Sequence, residues 1–566
     1  TQYDMHAVED AGLLKFDFLG IRNLAILENA VSLVKKFNNI DIDIEKIPLD
    51  DQKTFALLAR GETVGLFQLN GAGMTRYLKE LKPSSIHDIN AMVALYRPGP
   101  IESIPTYIER KHNPRLIQYL DPRLKEILNQ SYGVIVYQDD VMMTAVNLAG
   151  YTWFEADKLR KAMGKKIPKE MEAQKEKLIQ GLIKNGMSAE KSHELWRLIE
   201  PFAAYGFNKS HAASYGKVAY QTSYMKANFP GEYMTAALTA DSGDMEKVAE
   251  IITECTRMGI PVLPSDVNES FGQFTLIKGA KGEKDDSINS PQDKSRPFLQ
   301  SIEPQRKDDR ILSRCETTEF SGKVRDKVRF GLESVKNVGV NIVQAIIAAR
   351  EKGGKFISVA DFAERVQHKD FNKKSVESLI KCGALDTLGE RNQLLTNLEL
   401  ILEYNRESQR SHSGGNINLF SLTPEIKLTS LKLKTAERAT KREKLAWEKE
   451  LLGLYVTEHP LQEYTEKLKT RRLTPLKDLE TSLNNQMISV GGMVSVIKKI
   501  ITKSGDPMLF VKIEDLTSRI EVLVFPKILA RNPGLWQEEK VLAIRGRISD
   551  KDGTPKILCE EAVEIV

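Results

Sequence analysis

Hydrophobic residues recur at spacings of three and four along the first half of the chain. Between residues 25 and 270 this period predicts helices such as Val141–Leu148 and Lys247–Met258, separated by short loops marked by Pro and Gly. Near the carboxyl end the period changes, and short β-branched runs such as Arg519–Phe525 alternate with Gly, Asp and Pro. These runs favour an OB-type β-barrel over residues 483–566. The chain is therefore predicted to be a multidomain α+β protein.

Polar stretches divide the chain further. Residues 271–327 include a charged run rich in Ser and Pro, which predicts a disordered insertion. A second polar stretch, Ser408–Asn416, follows more helical pattern and precedes a predicted basic helix over Thr435–Leu452. The predicted parts are residues 1–24, 25–270, 271–327, 328–402, 403–482 and 483–566.

Composition narrows the class of protein. A chain of 566 residues is long enough for several domains of roughly 100–200 residues each. Four scattered cysteines without a C-x-x-C pair argue against a disulfide framework or a structural zinc site and favour a cytoplasmic protein. No apolar run reaches the roughly 18–20 residues that would cross a bilayer, so no membrane contact is expected. The first residue, Thr1, begins neither a signal nor a transit peptide, and we expect it to be a cut end. The net charge of +5 does not by itself predict a nucleic-acid partner.

Several carboxylates are candidates for chemistry. In Leu13–Leu19, strand alternation puts Lys15 and Asp17 on one face, where an edge-strand ion pair is the plain interpretation and a metal ligand the alternative. Asp41 and Asp43 lie between a predicted helix and the turn at Pro48, where acidic residues usually serve as caps or stay solvated, and Asp139 with Asp140 is a second acidic pair. We do not expect either pair to bind metal.

Six longer motifs occur in order between Ala11 and Tyr215: AGLLKFDFLGIRNL, GLFQLNGAGM, ALYRPGP, YGVIVYQDDVM, LRKAMGKK and YGFNKSHAASY. Together they resemble the C-family of bacterial replicative DNA polymerases, and the likeness continues along the chain except for residues 278–327. The resemblance implies the end of a nucleotidyltransferase-type palm in residues 1–24 and large, mainly helical fingers in residues 25–270. A helix-hairpin-helix clamp-binding region and the OB-type barrel would follow.

The resemblance makes Asp17 the third metal-binding aspartate of the palm and the catalytic residue of this chain. The other two would belong to a D-x-D motif upstream of Thr1. Three carboxylates are needed because two Mg²⁺ ions must hold the primer 3′ oxygen, the attacked phosphate and the leaving pyrophosphate. With Asp17 alone, we expect this chain by itself to be inactive in DNA synthesis.

Nucleotide binding is implied for Lys15 and for two further groups of residues. Lys15 would stand beside Asp17, and Arg160, Lys161, Lys165 and Lys166 match the triphosphate contacts of the fingers, with a solvated helix face as the alternative. Lys161 stands where the family commonly has a second arginine, which exchanges a bidentate grip for a point charge. Asn208, Lys209 and His211 would face the nascent base pair and the dNTP, Lys209 at phosphate and His211 at the sugar. His211 as a general acid is the alternative.

DNA contacts are implied in two regions. Arg97, Arg110 and Lys111 would contact template or primer phosphates. Val335–Ala345 resembles a helix-hairpin-helix, in which Asn337 and Gly339 would help turn backbone N–H groups toward a phosphate. Asn337 and Asn341 replace customary glycines, but Asn tolerates a positive φ.

A clamp-binding peptide and a single-strand surface complete the implied sites. Asn416, Ile417, Asn418, Leu419 and Phe420 are similar to the sliding-clamp-binding motif, in which Leu419 and Phe420 would fill a hydrophobic pocket. A Leu-Phe pair in a polar loop also occurs by chance. The predicted barrel carries Lys498, Lys499 and Lys512, so single-strand binding is a hypothesis for it.

Two functions compete at this point. The first is template-directed addition of dNTPs to a primer 3′ end, with primer–template DNA, a sliding clamp and other replisome subunits as partners. The second is a non-catalytic module that binds DNA and tethers it to the clamp. Primer extension, and its loss on Asp17→Asn when the upstream part is present, would separate the two.

Overall fold

A computed structural model describes residues 3–14, 19–165, 168–200, 207–279, 326–413, 431–471, 473–476, 479, 485–502, 504–515, 518–549 and 555–565. Most of the predicted insertion, residues 280–325, and the whole predicted clamp-binding peptide lie outside these ranges. The described chain forms a helical body, a small sheet with a second group of helices, and a barrel.

Helices dominate the first part of the molecule. They are α1 (Met5–Asp10), α2 (Arg22–Asn38), α3 (Gln52–Ala59), α4 (Ala72–Leu81), α5 (Ile86–Leu95), α6 (Ile104–His112), α7 (Leu124–Leu128), α8 (Gln138–Ala149), α9 (Trp153–Lys165), α10 (Pro168–Lys184), α11 (Ala189–Ile199), α12 (Lys209–Asn228), α13 (Pro230–Ala240) and α14 (Met245–Arg257). The helices predicted at Val141–Leu148 and Lys247–Met258 are confirmed as α8 and α14.

Helix α12 is the centre of this helical body. It packs closely against α5, because Gly216 has no side chain where a Cβ would lie 1.8 Å from Asn90 Oδ1. At its other end Lys226 is buried, and its Nζ donates to Glu254 Oε1 at 2.6 Å and to the carbonyls of Glu62 and Val64 at 2.8 Å. A buried ammonium is tolerated when it is paired and hydrogen-bonded in this way. These contacts fix α12 to α5, to α14 and to the loop before α4.

A three-stranded sheet follows, formed by β1 (Val262–Leu263), β2 (Thr275–Ile277) and β3 (Lys327–Arg329) in the order β1-β3-β2. β3 pairs in parallel with β1 and antiparallel with β2. Phe274 and Leu276 are buried. The prediction of disorder is therefore wrong for the first residues of 271–327, because their apolar side chains complete a core that lies far away in sequence.

A second helical group contains α15 (Val340–Gly353), α16 (Val359–Arg365), α17 (Lys373–Lys381), α18 (Arg391–Thr396), α19 (Leu398–Ser413) and α20 (Lys441–Leu452), and the connector to the barrel carries α21 (Thr465–Thr470). It shares one continuous hydrophobic core with the first. The predicted basic helix over Thr435–Leu452 begins later, at Lys441, because Thr440 and Glu443 form a capping box there.

The carboxyl-terminal strands are β4 (Met487–Ile501), β5 (Pro507–Glu514), β6 (Arg519–Val524), β7 (Val541–Ser549) and β8 (Lys556–Glu564), with α22 (Pro526–Arg531) between β6 and β7. They close into a barrel in the order β4-β5-β6-β8-β7 around its own apolar core. The predicted OB-type barrel is confirmed. Within the described ranges no helix is long and apolar enough to span a bilayer.

Candidate nucleotide and DNA interface

Side chains from three distant segments meet in a continuous row of rings. The Arg97 guanidinium lies 3.9 Å from the Phe207 ring centroid, and Phe207 packs edge-on against His211 at 5.0 Å. The His211 ring lies 4.1 Å from Tyr215, which in turn lies 5.2 Å from Phe67. Phe207 and Phe67 are buried, whereas Arg97 and His211 are exposed. We call these five residues the aromatic row.

Local structure explains why the row forms. The backbones of Tyr137 and Phe207 form a parallel bridge, and the Gln138 N–H donates to the Phe207 carbonyl at 3.0 Å. Asn208 then caps the start of α12, with its side-chain oxygen accepting from the His211 N–H at 2.9 Å. Residues four apart share one face of a helix, so the rings of His211 and Tyr215 lie in contact, tilted by 45°. The side-chain oxygen of Asn208, a predicted nucleotide contact, is thus occupied by the helix-capping hydrogen bond.

Arg97 is a cation without a carboxylate partner among the described residues. Burial against the row lowers the pKa of its guanidinium, although an arginine stays charged throughout the physiological range. A stacked guanidinium keeps its edge N–H groups free for hydrogen bonding. The N–H groups of Arg97 are therefore available to bind an anion such as a phosphate.

Lys209 begins α12 in a more acidic setting. Its backbone N–H donates to Asp139 Oδ2 at 2.8 Å, and its Nζ lies 5.6 Å from the Tyr137 ring centroid. Beside it is a cavity of about 310 Å³ lined by Glu126, Ile127, Asp139, Asp140, Met142, Met143, Trp153 and Lys209. Burial raises the pKa of Asp140 to about 6, against the opposing effect of N–H groups donated by Val136 and Tyr137. The charge of Lys209 is partly offset by these neighbours.

Arg160 and Lys161 share a carboxylate on α9. Arg160 donates to Asp157 Oδ1 at 2.8 Å and Lys161 lies 2.9 Å from Asp157 Oδ2. Hydrogen bonds from Lys161 and Arg160 hold the pKa of Asp157 below its usual value. Because two cations share one carboxylate, this solvent-exposed face of α9 carries a net positive charge.

The predicted phosphate contacts Arg110 and Lys111 have structural partners instead. Arg110 donates to the carbonyls of Tyr132 and Gly133. The Lys111 side chain is only 8% exposed, and its Nζ lies 3.1 Å from Asp88 and donates to the carbonyls of Leu81 and Lys82. An ammonium held by three oxygens has little left to offer a phosphate. Arg110 therefore joins α6 to the turn after α7, and Lys111 joins α6 to α4 and α5. Phosphate contact by either residue stays a prediction.

The two acidic pairs, Asp41 with Asp43 and Asp139 with Asp140, have different partners. Asp43 lies 2.7 Å from Lys46 and Asp41 lies 3.1 Å from Lys35, both as solvated ion pairs. Asp140 accepts the N–H groups of Val136 and Tyr137 at the start of α8. The described residues contain no group of three or more His, Cys, Asp or Glu that could hold a metal ion.

The helix-hairpin-helix turn has the backbone expected of it. Asn337 takes a positive φ of 70°, and its Nδ2 donates to Ser378 Oγ at 3.3 Å. Gly339 begins α15 without a side-chain cap, and nothing lies within 4 Å of where its Cβ would be. The first N–H groups of α15 are therefore uncovered, as an anion site at a helix start requires.

Several predicted site residues cannot be placed. Lys15, Asp17, Lys166 and the peptide Asn416–Phe420 lie outside the described residues. Lys165 ends α9. The sequence analysis also missed Phe67 and Tyr215, whose only signal is that both stand inside motifs already singled out.

Three family models match the chain. Residues 23–186 match the bacterial DNA polymerase III alpha subunit finger domain, residues 259–394 a helix-hairpin-helix motif, and residues 488–565 an OB-fold nucleic acid binding domain. The last two indicate nucleic-acid binding.

Curated relatives match nearly the whole chain. A DNA polymerase III subunit alpha of Thermus aquaticus is 39% identical over 93% of this chain, and those of Saccharopolyspora erythraea and Escherichia coli are 37% and 34% identical over all of it. The chain covers 39%, 45% and 46% of these three relatives, so it spans less than half their length. The order of its domains and its likeness to these relatives show that the chain belongs to the bacterial DNA polymerase III alpha subunit family.

Proposed function

We propose that this chain is the fingers, helix-hairpin-helix and OB-fold part of a cytoplasmic chromosomal replicase that adds dNTPs to a primer 3′ end. The observation that carries the proposal is the aromatic row, which brings Arg97 and His211 from separate polymerase-like motifs onto one surface. Its exposed cation suits a phosphate, and its rings suit a base or sugar.

The resemblance suggests the roles of the individual side chains, and their positions support them. Arg160 and Lys161, on an open face of α9, would bind the triphosphate, and His211 would contact the sugar of the incoming nucleotide. Lys209 would reach phosphate from the start of α12, with reduced strength because Asp139 and Asp140 lie beside it. Arg97 would bind a template or primer phosphate.

Metal chemistry enters the proposal only through Asp17. Two Mg²⁺ ions, when bound by three aspartates, stabilise charge on the attacking and leaving oxygens. The described residues contain no cluster of His, Cys, Asp or Glu that would hold such ions. With Asp17 as its only matching aspartate, this chain should bind DNA without extending a primer. A protein that also carries the D-x-D motif should extend it, and Asp17→Asn should abolish that extension.

Binding of primer–template DNA tests the proposal on the chain itself. The affinity should fall steeply with salt, and Arg97→Ala should reduce the slope of log affinity against log salt by about one counterion. Arg60→Ala is the control, since its guanidinium is held by Glu62 at 2.8 Å. Fluorescence anisotropy at several salt concentrations measures both. An unchanged slope for Arg97→Ala would show that the aromatic row does not meet DNA.

We also propose that Asn416–Phe420 binds the sliding clamp. The support is its sequence and its place after the helix-hairpin-helix region, between α19 and the basic helix α20. Phe420→Ala in the full chain should remove most clamp affinity by emptying a hydrophobic pocket, whereas Asn418→Ala should remove little. Equal binding by Phe420→Ala and the unaltered chain in surface plasmon resonance would place the clamp contact elsewhere.

If the complete protein binds DNA and clamp but never extends a primer, the alternative of a tethering module is correct.

A further inference from the structure

Gln68 has a backbone conformation that its side chain does not favour. Its φ is 59°, in the left-handed region. The neighbouring residues Phe67 and Leu69 are both buried, and the Leu69 N–H donates to the Phe67 carbonyl at 2.7 Å, which closes a tight turn. The turn that buries both neighbours thus holds Gln68 in the left-handed region. Glycine would adopt that conformation without the steric cost that glutamine incurs.

The side chain of Gln68 makes no hydrogen bond that would offset this steric cost. It is exposed, and it has no hydrogen bond to any of the described residues. The hydrogen bond that closes the turn, from the Leu69 N–H to the Phe67 carbonyl, does not involve the Gln68 side chain. Stability therefore explains the turn but not the choice of glutamine at its tip.

The turn is held rigidly beside the aromatic row. The Phe67 ring lies 5.2 Å from Tyr215, and the Phe67 N–H donates to Thr222 Oγ1 of α12 at 3.3 Å. On the other side the chain enters α4, where a Cβ on Gly73 would lie 2.2 Å from the Tyr96 hydroxyl. Tyr96 precedes Arg97 of the row. Gln68 thus stands on the segment that lies between Tyr96 and α12.

We propose that Gln68 contacts the primer–template DNA through its carboxamide, as a neutral contact beside the cationic one of Arg97. The inference rests on the proposed function. A carboxamide both donates and accepts, which suits a base edge or a sugar, whereas a phosphate offers acceptors only. Strained backbone positions that the surrounding packing enforces are characteristic of sites that bind ligands. Gln68 keeps its strain because the side chain acts on DNA.

The test is the affinity of the 566-residue chain for primer–template DNA, measured by anisotropy over a salt series. Gln68→Gly should weaken binding by roughly three- to tenfold, the usual effect of one neutral hydrogen bond, with an unchanged salt slope. Its melting temperature should stay the same or rise, because glycine relieves the strain. Gln68→Asn keeps an amide and tolerates a positive φ, so it should retain more affinity than Gln68→Gly.

Asn39→Gly is the matched control. Asn39 is also an exposed carboxamide with a positive φ, 54°, but it caps the end of α2 and is no part of the row. Its replacement should leave DNA affinity unchanged. Wild-type affinity for Gln68→Gly, alongside a reduced slope for Arg97→Ala, would overturn this inference and leave the proposed function standing. Absence of DNA binding by the unaltered chain would overturn both.

Discussion

Asp140 is a buried carboxylate with two opposing influences on its charge. It accepts N–H groups from Val136 and Tyr137 at 2.9 Å, which favour the ionised form. Burial favours the neutral form and outweighs them, so the pKa rises from 3.8 to about 6. Lys209 lowers this pKa and Asp139 raises it, so the start of α8 and the start of α12 are electrostatically linked. The contribution of Asp140 to the stability of the fold therefore depends on pH.

The direction of that dependence follows from the raised pKa. The folded state binds the proton more tightly than the unfolded state, so this group stabilises the fold below about pH 4. That contribution is lost as the pH rises through about 6.

Asp140→Asn keeps an acceptor for the cap and removes the titrating charge. We expect it to raise the free energy of unfolding by about 1–2 kcal/mol at about pH 8 and to give no gain near pH 4. Urea unfolding followed by circular dichroism at both pH values measures the difference. Asp43→Asn, a change in a solvated ion pair, should show no such gain with pH. An equal gain at both pH values would mean that charge is not the cause.

Individual cations also show what a sequence can and cannot predict at this scale. Arg97 and Lys111 both follow apolar helical pattern, and both were predicted to meet phosphate. Their difference comes from Asp88, which lies beside Lys111 only after α5 and α6 pack together. Arg160 and Lys161 could have been paired with Asp157 from helical spacing alone. Local spacing is visible in a sequence, whereas a partner brought by tertiary packing is not.

At the scale of elements, the crossing of α5 and α12 sets the geometry beneath the aromatic row. Gly216 allows the approach, and Asn90 Oδ1 is buried there without a hydrogen-bond partner. A methyl group at position 216 would overlap that oxygen, and the buried backbone around it leaves little room to move. The crossing therefore depends on two residues that no motif in the sequence pairs.

Gly216→Ala should lower the free energy of unfolding by about 1–3 kcal/mol through overpacking. Asn90→Ala should be nearly neutral, because it removes an acceptor that is already unsatisfied. The double variant should recover most of the stability lost by Gly216→Ala, which a double-mutant cycle in urea would show as a favourable coupling. Gly243→Ala, where nothing lies within 4 Å of the added methyl, is the control. Strict additivity of the two changes would contradict the steric explanation.

Which elements could be predicted depends on how local their causes are. The apolar period alone indicated α8 and α14, and β-branched runs indicated the barrel. The pairing of β2 with β3 could not be predicted, because each is three residues long and its partner stands beyond the polar run. The start of α20 was placed too early, although Thr440 with Glu443 is a capping box visible in the sequence.

At the scale of the whole molecule, the helices and the barrel have separate hydrophobic cores. The exposed pair Lys512–Glu246, at 3.3 Å, links the barrel to α14. The connector after α20 is held to the helices by Glu448, which is fully buried. Its carboxylate accepts from the N–H groups of Val456 and Thr457, at 3.2 and 3.1 Å. The position of the barrel should therefore depend on Glu448 far more than on the surface pair.

Glu448→Ala should release the connector and lower stability by about 3 kcal/mol, because it leaves the buried Arg391 with fewer partners and removes the acceptor of two partly buried N–H groups. Hydrogen–deuterium exchange should accelerate across residues 453–459, while strands β4 to β8 should keep their protection because the barrel has its own core. Glu246→Gln, which breaks an exposed ion pair, should leave exchange in both regions unchanged. If the barrel strands lost protection together with the connector, the barrel would not be an independent folding unit, and the buried carboxylate would support the fold of the barrel as well as its position.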